Sequence, residues 1–527
     1  MQRFKFKLNF IPVTLFLGIF FYLPLLFLIY QIIISDVSIK LLQHPLIVRF
    51  LLFSFTQSIL TVILSCLFGV PTGYLLARSK IVGLKFFKAL ITIPFIFPPL
   101  ILLLGFVVLF RTEFIIMGFT FSPFSFWGIV IAHVIYNISV VSRISESSFI
   151  QESKDYHDLA ETLGISKIQR FTTITIPHIK SSLLSAMILV FLYSFNSFAI
   201  VLLLGQFRYQ TIEVMIFTQS KLQLNTELAA LLAILQLSIN FTILLLYTKV
   251  TTYQLFDTQG EKFKPYISPY KAIPYIIFII LITNFPMFIV IYKALMGLVL
   301  DPQISLLSIF NDNYERYLGT TPIRVVKNTV FFGLLTSCII LLFSLSLLLG
   351  LSNLTSNRSM KFFDIYLLLP LGSSSIVLSY SYVVAFGSYS AFGEYIWIFI
   401  LILHVLSAVP FTMKILISSW KRIPINLMIM SETLQASQLQ KLRFIIFPML
   451  KSSILIAMVF SFAISIGEFG ATYYLVRGEW TTLSVSIGKF FASRNNLLPH
   501  IYASILSIFA IISFILIEKL GGMELNV

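Results

Sequence analysis

Residues 161–187 read ETLGISKIQRFTTITIPHIKSSLLSAM, and residues 432–458 read ETLQASQLQKLRFIIFPMLKSSILIAM. At a constant offset of 271, 13 of these 27 positions are identical. The identities include glutamate, glutamine, lysine and proline, which a shared apolar bias would not bring into register. The chain therefore contains an internal duplication, and internal repeats of this kind organise the folds of many transporters.

Long apolar runs surround both copies of the repeat. Of the 527 residues, 58% are hydrophobic and 11% are charged, and the mean hydropathy is +0.95. Soluble domains carry about a quarter charged residues, whereas a helix of about 20 apolar residues spans a bilayer core. The runs predict twelve transmembrane helices, at 10–34, 50–77, 86–110, 124–142, 181–204, 227–248, 273–293, 325–351, 362–386, 394–418, 452–475 and 500–518.

Each repeat contains six predicted spans, and an even number gives both repeats the same orientation in the membrane. We therefore predict an all-α polytopic membrane protein with about twelve transmembrane helices in two pseudo-symmetric parallel six-helix repeats. The predicted domains are a first transmembrane lobe at 1–250, a cytoplasmic linker at 251–272 and a second transmembrane lobe at 273–527. We expect the transport pathway between the lobes.

Basic residues are distributed unevenly over the predicted loops. With the N-terminus inside, 25 of the 37 Lys and Arg residues are cytoplasmic and 12 are outside. Cytoplasmic loops of membrane proteins carry such an excess. The net charge of +16 therefore reflects topology rather than nucleic-acid binding, and we predict that both termini are cytoplasmic.

The loop before the fifth predicted span has the pattern of a short docking helix. Asp158 lies near its start, where a carboxylate opposes the helix dipole. Leu159, Ala160 and Leu163 form one apolar stripe, and Gly164 ends the helix. A short helix that presents apolar side chains between two spans is suited to insertion into a groove of a partner protein.

This segment resembles the cytoplasmic EAA loop of ABC-importer permeases, whose pattern is Glu-Ala-Ala, three residues, Gly, nine residues, Ile, one residue, Leu-Pro. The second copy is degenerate, since Ile429-Met430-Ser431 replaces the triplet and Gln435 replaces the glycine. The resemblance implies ATPase-coupling residues at Asp158, Leu159, Ala160, Glu161, Leu163, Gly164, Ile174 and Pro177, and at Glu432, Leu434, Gln435, Ile445 and Pro448. The alternative is that both loops are solvated connectors, but surface loops diverge faster than helices, and these loops are among the best-preserved parts of the repeat.

The same resemblance implies the partners and the location. They are two copies of an ABC ATPase on the cytoplasmic side, an extracytoplasmic substrate-binding protein, and the lipid bilayer of a bacterial inner membrane. Gly488-Lys489 is followed by Phe490 and lacks the phosphate-loop pattern. We therefore predict a translocation subunit that is not an enzyme and binds no cofactor, with ATP and Mg on the partner ATPase.

Two runs indicate a substrate class. Residues 195–199, Phe-Asn-Ser-Phe-Ala, and 211–213, Thr-Ile-Glu, resemble runs in thiamine-importer permeases; fused ferric-iron permeases are the alternative. The candidate pathway residues are Asn196, Ser197, Glu213 and Glu468. We expect Glu213 at the outer rim of the membrane, where it either contacts the binding protein or is solvated.

Glu468 lies within an apolar run, where an ionisable residue is a functional candidate. It either faces a cationic substrate or hydrogen-bonds a neighbouring helix. Its Gly-Glu-Phe-Gly-Ala run also occurs in permeases that resemble those for oxyanions. No cluster at metal-ligand spacing accompanies His133 and His404, so we predict no metal site.

Two interpretations from other classes remain. An ion-coupled secondary transporter can also have twelve spans in parallel repeats, but it is expected to carry several intramembrane charges, and this chain offers chiefly Glu468. A membrane scaffold without transport activity is the other.

Overall fold

The computed structural model describes residues 10–34, 44–110, 114–116, 119–206, 208–252, 263–300, 314–351, 363, 365–493, 495 and 497–524. Within these ranges, ten helices are long and apolar enough to cross a membrane, and two bent helix pairs raise the number to twelve if each pair is one span. The predicted all-α class with about twelve spans is confirmed. One two-stranded antiparallel ribbon, Phe114–Ile116 with Phe119–Phe121, pairs Ile115 with Thr120.

The first half contains six spans or bent spans and the short helices between them. Its helices are Ile11–Leu17, Gly18–Tyr22, Leu23–Ile34, Pro45–Arg78, Leu84–Ile96, Pro99–Leu109, Phe126–Gln151, Lys154–Thr162, Lys167–Arg170, Phe171–Thr175, Ile176–Phe195, Ala199–Gly205, Ile212–Phe217, Thr218–Leu222 and Thr226–Thr252.

The second half follows the same order. Its helices are Pro269–Leu300, Glu315–Leu318, Pro322–Leu351, Leu369–Gly372, Ser375–Phe386, Ser390–Glu394, Ile396–Trp420, Ile425–Thr433, Gln438–Lys441, Leu442–Ile446, Phe447–Gly467, Gly470–Leu475, Gly478–Trp480, Leu483–Ala492 and Leu498–Glu524.

The third and ninth spans, predicted as uninterrupted at 86–110 and 362–386, are bent. The first pair bends by 97° between Leu84–Ile96 and Pro99–Leu109, and the second by 93° between Ile365–Gly372 and Ser375–Phe386. Proline cannot donate a backbone hydrogen bond, and Pro98 and Pro99 stand at the first bend. Hydropathy alone does not register such bends, because both halves of each pair are apolar.

The fifth and eleventh spans begin and end earlier than the predicted 181–204 and 452–475. They run over Lys167–Phe195 and Gln438–Gly467, and each is followed by a break and a short second helix. The breaks lie at equivalent positions of the two repeats. The chain therefore interrupts the same span twice, and both interruptions contain candidate pathway residues.

The described residues form two compact units that interleave along the chain. One unit combines residues 39–215 with 238–296, and the other combines the first span, residues 216–237 and the residues from Gly297 onward. The first helix of each half thus belongs to the unit built mainly from the other half. The division at 1–250, 251–272 and 273–527 describes the sequence repeats and stays a prediction.

Within the unit of residues 39–215 and 238–296, hydrogen bonds link the helix Pro269–Leu300 to its neighbouring helices. Tyr275 Oη donates to the Phe68 carbonyl oxygen at 3.0 Å, and Asn284 Nδ2 donates to the Leu90 carbonyl oxygen at 3.1 Å. Gly105 packs against the backbone of Pro286, where a Cβ would lie 1.6 Å from the carbonyl oxygen. This close approach is typical of membrane helix pairs with a small residue at the contact.

Within the other unit, the first span is fastened in the same way. Tyr366 Oη donates to the Thr14 carbonyl oxygen at 2.9 Å, and Tyr382 Oη donates to the carbonyl oxygen of Phe20. The ring of Phe10 fills the space beside Gly350. Tyrosine side chains therefore bind the first span through its backbone carbonyl groups.

Replacing Gly105 with alanine is expected to lower the stability of the detergent-solubilised protein by about 2 kcal/mol, because the added methyl group collides with Pro286. The measurement is the midpoint of thermal unfolding. Gly18→Ala is the matched control, since a Cβ there meets nothing within 4 Å. Equal midpoints for the two variants would contradict the close contact.

Candidate functional site

The first elbow, residues 154–176, begins with a capped helix. The helix Lys154–Thr162 starts after Ser153, whose Oγ accepts a hydrogen bond from the Asp155 amide. It ends at Gly164, whose φ of +72° lies in the left-handed region. The amide of residue 165 then donates to the Ala160 carbonyl oxygen at 2.9 Å, which closes the C-terminus. The predicted helix and its glycine stop are both present.

The predicted apolar stripe divides between two faces of this helix. Leu159 is 60% exposed and Leu163 is 76% exposed, whereas Ala160 is 3% exposed. The expectation that all three residues form one stripe is therefore wrong for Ala160, because i and i+1 side chains of a helix diverge by about 100°. Two leucines remain available to a partner protein. Asp158 is exposed beside them and pairs with Lys154 at 3.3 Å.

A second helical turn completes the elbow and is held rigidly. Ser166 and Gln169 form a reciprocal capping box at its start. Arg170 Nη1 lies 2.8 Å from Glu161 Oε2, so the turn is tied back to the first helix. Ile174 and Pro177 follow at the start of the fifth span. The loop is thus an ordered helical corner rather than an unstructured connector.

The second elbow, residues 425–447, repeats the second turn of this construction at equivalent positions, although Pro424 gives its first helix no side-chain cap. Ser437 and Gln440 form the equivalent capping box. Lys441 Nζ lies 3.2 Å from Glu432 Oε1, the positions equivalent to Arg170 and Glu161. Ile445 is half-buried and Pro448 exposed, as are Ile174 and Pro177.

The exposed face of the elbow helix is more apolar in the second elbow than in the first. Its helix Ile425–Thr433 exposes Ile429 by 54%, Met430 by 59% and the adjacent Leu434 by 79%, while Ser431 is 4% exposed. A groove of about 400 Å³ borders Met430 and Leu434. Ser431 is thus buried as Ala160 is in the first elbow, and the burial pattern is kept although Ile429 replaces Asp158.

Gln435 keeps the left-handed turn that Gly164 makes in the first elbow. Its φ is +54°, a conformation that costs a residue with a Cβ about 1 kcal/mol. The substitution therefore changes the chemistry of the turn but leaves its shape intact.

Asn196 and Ser197 lie in the break after the fifth span. Asn196 Oδ1 accepts a hydrogen bond from Asn240 Nδ2 at 2.7 Å. Glu468 occupies the equivalent break after the eleventh span, at the position of Ser197 in the repeat. The structure therefore brings each of these three candidates to an interruption of a span.

Glu468 uses its carboxylate to hold the break together. Its Oε1 accepts from the Ala471 amide at 2.9 Å, and Ser407 Oγ on the helix Ile396–Trp420 lies 3.5 Å from Oε2. The side chain is half-buried. The alternative in which it bonds a neighbouring helix therefore has direct support, and partial exposure leaves it accessible to a substrate as well.

Glu213 differs from the sequence expectation. It is fully buried in the first turn of the helix Ile212–Phe217, so the expectation of a solvated side chain is wrong, and its position at the outer rim of the membrane stays a prediction. His404, one of the two repeated histidines, contacts Ser465 Oγ at 2.7 Å and Thr472 Oγ1 at 2.8 Å. Among the described residues, no group of three potential metal ligands occurs.

Sequence reasoning missed a buried carboxylate beside the first elbow. Glu152 has a side chain that is 4% exposed and lies 2.8 Å from Arg78, more than seventy residues earlier. Only spatial contact distinguishes it from the solvated acids of the same loop.

The profile of the family described as "Binding-protein-dependent transport system inner membrane component" matches the chain twice, at residues 69–252 and 342–520. The chain belongs to this family. Both elbows and both span breaks lie inside the matched ranges. The permease is accordingly a multi-pass inner-membrane translocation subunit of an ABC importer, which works with an ATPase and a binding protein and catalyses no reaction itself.

Two thiamine transport relatives align with most of this permease, and a third relative aligns with about a third of it. The thiamine transport system permease protein of Salmonella typhimurium is 24% identical over 490 residues, which cover 89% of this chain and 88% of that protein. The corresponding Escherichia coli protein is 24% identical over 497 residues, 90% of this chain and 89% of its own length. A molybdate/tungstate transport system permease protein of Pyrococcus abyssi is 25% identical over 169 residues, 32% of this chain and 65% of that protein.

The two left-handed turns generate a paired prediction. Gly164→Val is expected to loosen the first elbow, because a β-branched residue is strained at positive φ. Gln435→Gly relieves strain in the second elbow and is expected to leave it as ordered or more so. Hydrogen–deuterium exchange of the amides in 154–166 and 425–437 measures both effects. Equal exchange in Gly164→Val and the unmodified protein would refute the argument.

Proposed function

We propose that this permease imports thiamine, or its phosphates, in a complex with two copies of an ATPase and one extracytoplasmic binding protein. In this arrangement both termini and both elbows are cytoplasmic, and ATP and Mg bind to the ATPase. The observation that supports thiamine is the extent of similarity, since both thiamine relatives align with about nine-tenths of the chain.

The paired elbows support the number of ATPase copies. Each elbow presents a short helix with two or three exposed apolar side chains, on a corner held by a capping box and an ion pair. One fused chain thus offers two docking helices, so one ATPase subunit is expected for each. Apolar anchors in a groove commonly carry most of the energy of such interfaces.

The rigidity of the elbows suits them to transmit force. ATP binding closes the ATPase dimer and draws the two docking helices together. Each elbow continues without a turn of coil into its span, at Ile176 and at Phe447. A displacement of the docking helix is therefore passed to the membrane helix and biases an equilibrium between two conformations of the permease.

The span breaks support a substrate pathway near Asn196 and Glu468. Interrupted helices expose backbone and polar groups at membrane depth, and transporters tolerate this where the groups line a cavity. A half-buried carboxylate at Glu468 complements the positive charge of the thiamine thiazolium ring. The binding protein supplies most of the selectivity, and the permease requires only weak recognition.

The docking role predicts that Leu159→Asp combined with Leu163→Asp weakens association with the ATPase by about ten-fold or more, because two desolvated apolar anchors are lost. Met430→Asp with Leu434→Asp tests the second elbow in the same way. Co-purification and a titration of ATPase against the permease in nanodiscs measure the effect. Val82→Asp is the control, since Val82 is 95% exposed outside either elbow.

A secondary transporter would instead keep uptake after removal of residues 158–164.

The substrate assignment predicts ATP-dependent thiamine uptake into proteoliposomes that contain the full complex. Glu468→Gln is expected to lower thiamine uptake by about ten-fold, since the compensating charge is removed while the hydrogen bonds to Ala471 and Ser407 can persist. Ferric iron and molybdate serve as competitors in the uptake assay and in a titration of the binding protein. Displacement of thiamine by either ion would transfer the assignment to that ion.

A further inference from the structure

A buried polar cluster lies where the first elbow joins the membrane helices. Its centre is Glu152, in the turn between Phe126–Gln151 and the elbow helix. Glu152 Oε2 accepts from Arg78 Nη2 at 2.8 Å, and Oε1 lies 2.8 Å from His157 Nε2 and accepts from Thr175 Oγ1 at 2.7 Å. We call these four residues the Glu152 cluster.

The cluster joins four separate parts of the chain. Arg78 ends the second span, Glu152 follows the fourth, His157 lies on the elbow helix, and Thr175 ends the helix Phe171–Thr175 within the fifth span. Both carboxylate oxygens are engaged by side chains from these other parts. The side chains of Arg78 and Glu152 are only 2% and 4% exposed, so their attraction is weakly screened by solvent.

Residues of the linker pack over the Glu152 cluster. The Arg78 guanidinium lies 4.0 Å from the ring centre of Phe263, and the His157 ring contacts the same phenyl ring at 4.9 Å. The amides of Tyr266 and Ile267 donate to the Arg78 carbonyl oxygen at 2.8 and 2.9 Å. Residues 263–267 are therefore bound to the end of the second span and cover the ion pair.

The second repeat shows that an elbow folds without such a cluster. At the offset of 271, Glu152, His157 and Thr175 correspond to Ile423, Met428 and Ile446. The helix, the capping box and the ion pair to Glu432 are nevertheless all formed there. A buried ion pair gains little stability over apolar residues of similar volume, so folding of the elbow does not account for the four polar residues in the first repeat.

We propose that Glu152 is a positioning residue for transport, whose carboxylate locks the first elbow to the second span, the fifth span and the linker so that they move as one body. This inference rests on the proposed function, since it requires that the first elbow receives the movement of an ATPase. Without the contacts of Glu152, the elbow helix tilts relative to the second and fifth spans. ATP is then hydrolysed, but these spans do not move with the elbow. The role is specific to the first elbow.

The test measures thiamine imported per ATP hydrolysed by the full complex in proteoliposomes. Glu152→Gln is expected to lower this ratio by about ten-fold, because a charge-assisted contact to each neighbour is lost, while the ATPase remains bound. Thr175→Val removes one hydrogen bond to Glu152 and is expected to lower the ratio by about three-fold. Thr173→Val is its matched control, since Thr173 is exposed and bonds only the Gln169 carbonyl oxygen of its own helical turn.

A double variant separates positioning from folding. Arg78→Met with Glu152→Gln removes both charges, and its thermal midpoint is expected to recover relative to Glu152→Gln alone. The transport ratio stays low if Glu152 positions the elbow, and it recovers with stability if the cluster is only structural. The latter result overturns the proposal, as does an unchanged ratio in Thr175→Val.

The remaining outcomes are also decisive. If Glu152→Gln fails to assemble, the double variant and Thr175→Val decide the question. If the unmodified complex shows no ATP-dependent thiamine uptake, the proposed function fails. If the unmodified complex imports thiamine and the variants import the same amount per ATP hydrolysed, only the positioning role fails. Lys80→Gln, an exposed cation two residues from Arg78, is expected to leave the ratio unchanged.

Discussion

The structure depends on the inability of a bilayer to hydrogen-bond backbone amide and carbonyl groups, because each unsatisfied group there costs several kcal/mol. Helices meet this requirement by themselves, and interrupted helices do not. At the start of a later short helix in each repeat, Ile212–Phe217 and Leu483–Ala492, side chains from the second and eighth spans supply the missing partners. Ser54 Oγ accepts from the Ile212 amide at 3.1 Å, and Thr329 Oγ1 accepts from the Leu483 amide at 2.8 Å. Interruption is therefore permitted where a neighbouring helix offers a hydroxyl group.

The two repeats keep the same corner with different chemistry. Ion pairs, capping boxes and left-handed turns recur at the same positions, although Gly164 is replaced by Gln435 and the acidic residue by Ile429. Shape is preserved because it is determined by backbone hydrogen bonds and local caps, which several residue types can supply. The exposed faces of the two elbow helices have diverged, so one carries an acidic residue and the other is apolar.

Much of the elbow could be predicted from the chain itself, because its signals are local. The glycine stop, the Ser-x-x-Gln caps and the prolines act within a few residues. The burial of Ala160 was missed, because an apolar stripe does not show which face of a short helix packs against the rest of the protein. The burial of Glu213 was missed because burial of an acid depends on distant helices. Glu152 was missed for the same reason: its partner Arg78 is remote in sequence.

The sequence by itself determined the membrane location, the number of spans, the duplication and the two helical corners. Each of these follows from hydropathy over about 20 residues or from patterns a few residues long. Only the tertiary structure decided where spans bend or break, which compact unit holds the first helix of each half, and which acids are buried. The physical reason is that membrane helices are apolar on most faces, so their pairing depends on small residues such as Gly105 and on single hydrogen bonds such as that of Tyr275, which hydropathy does not record.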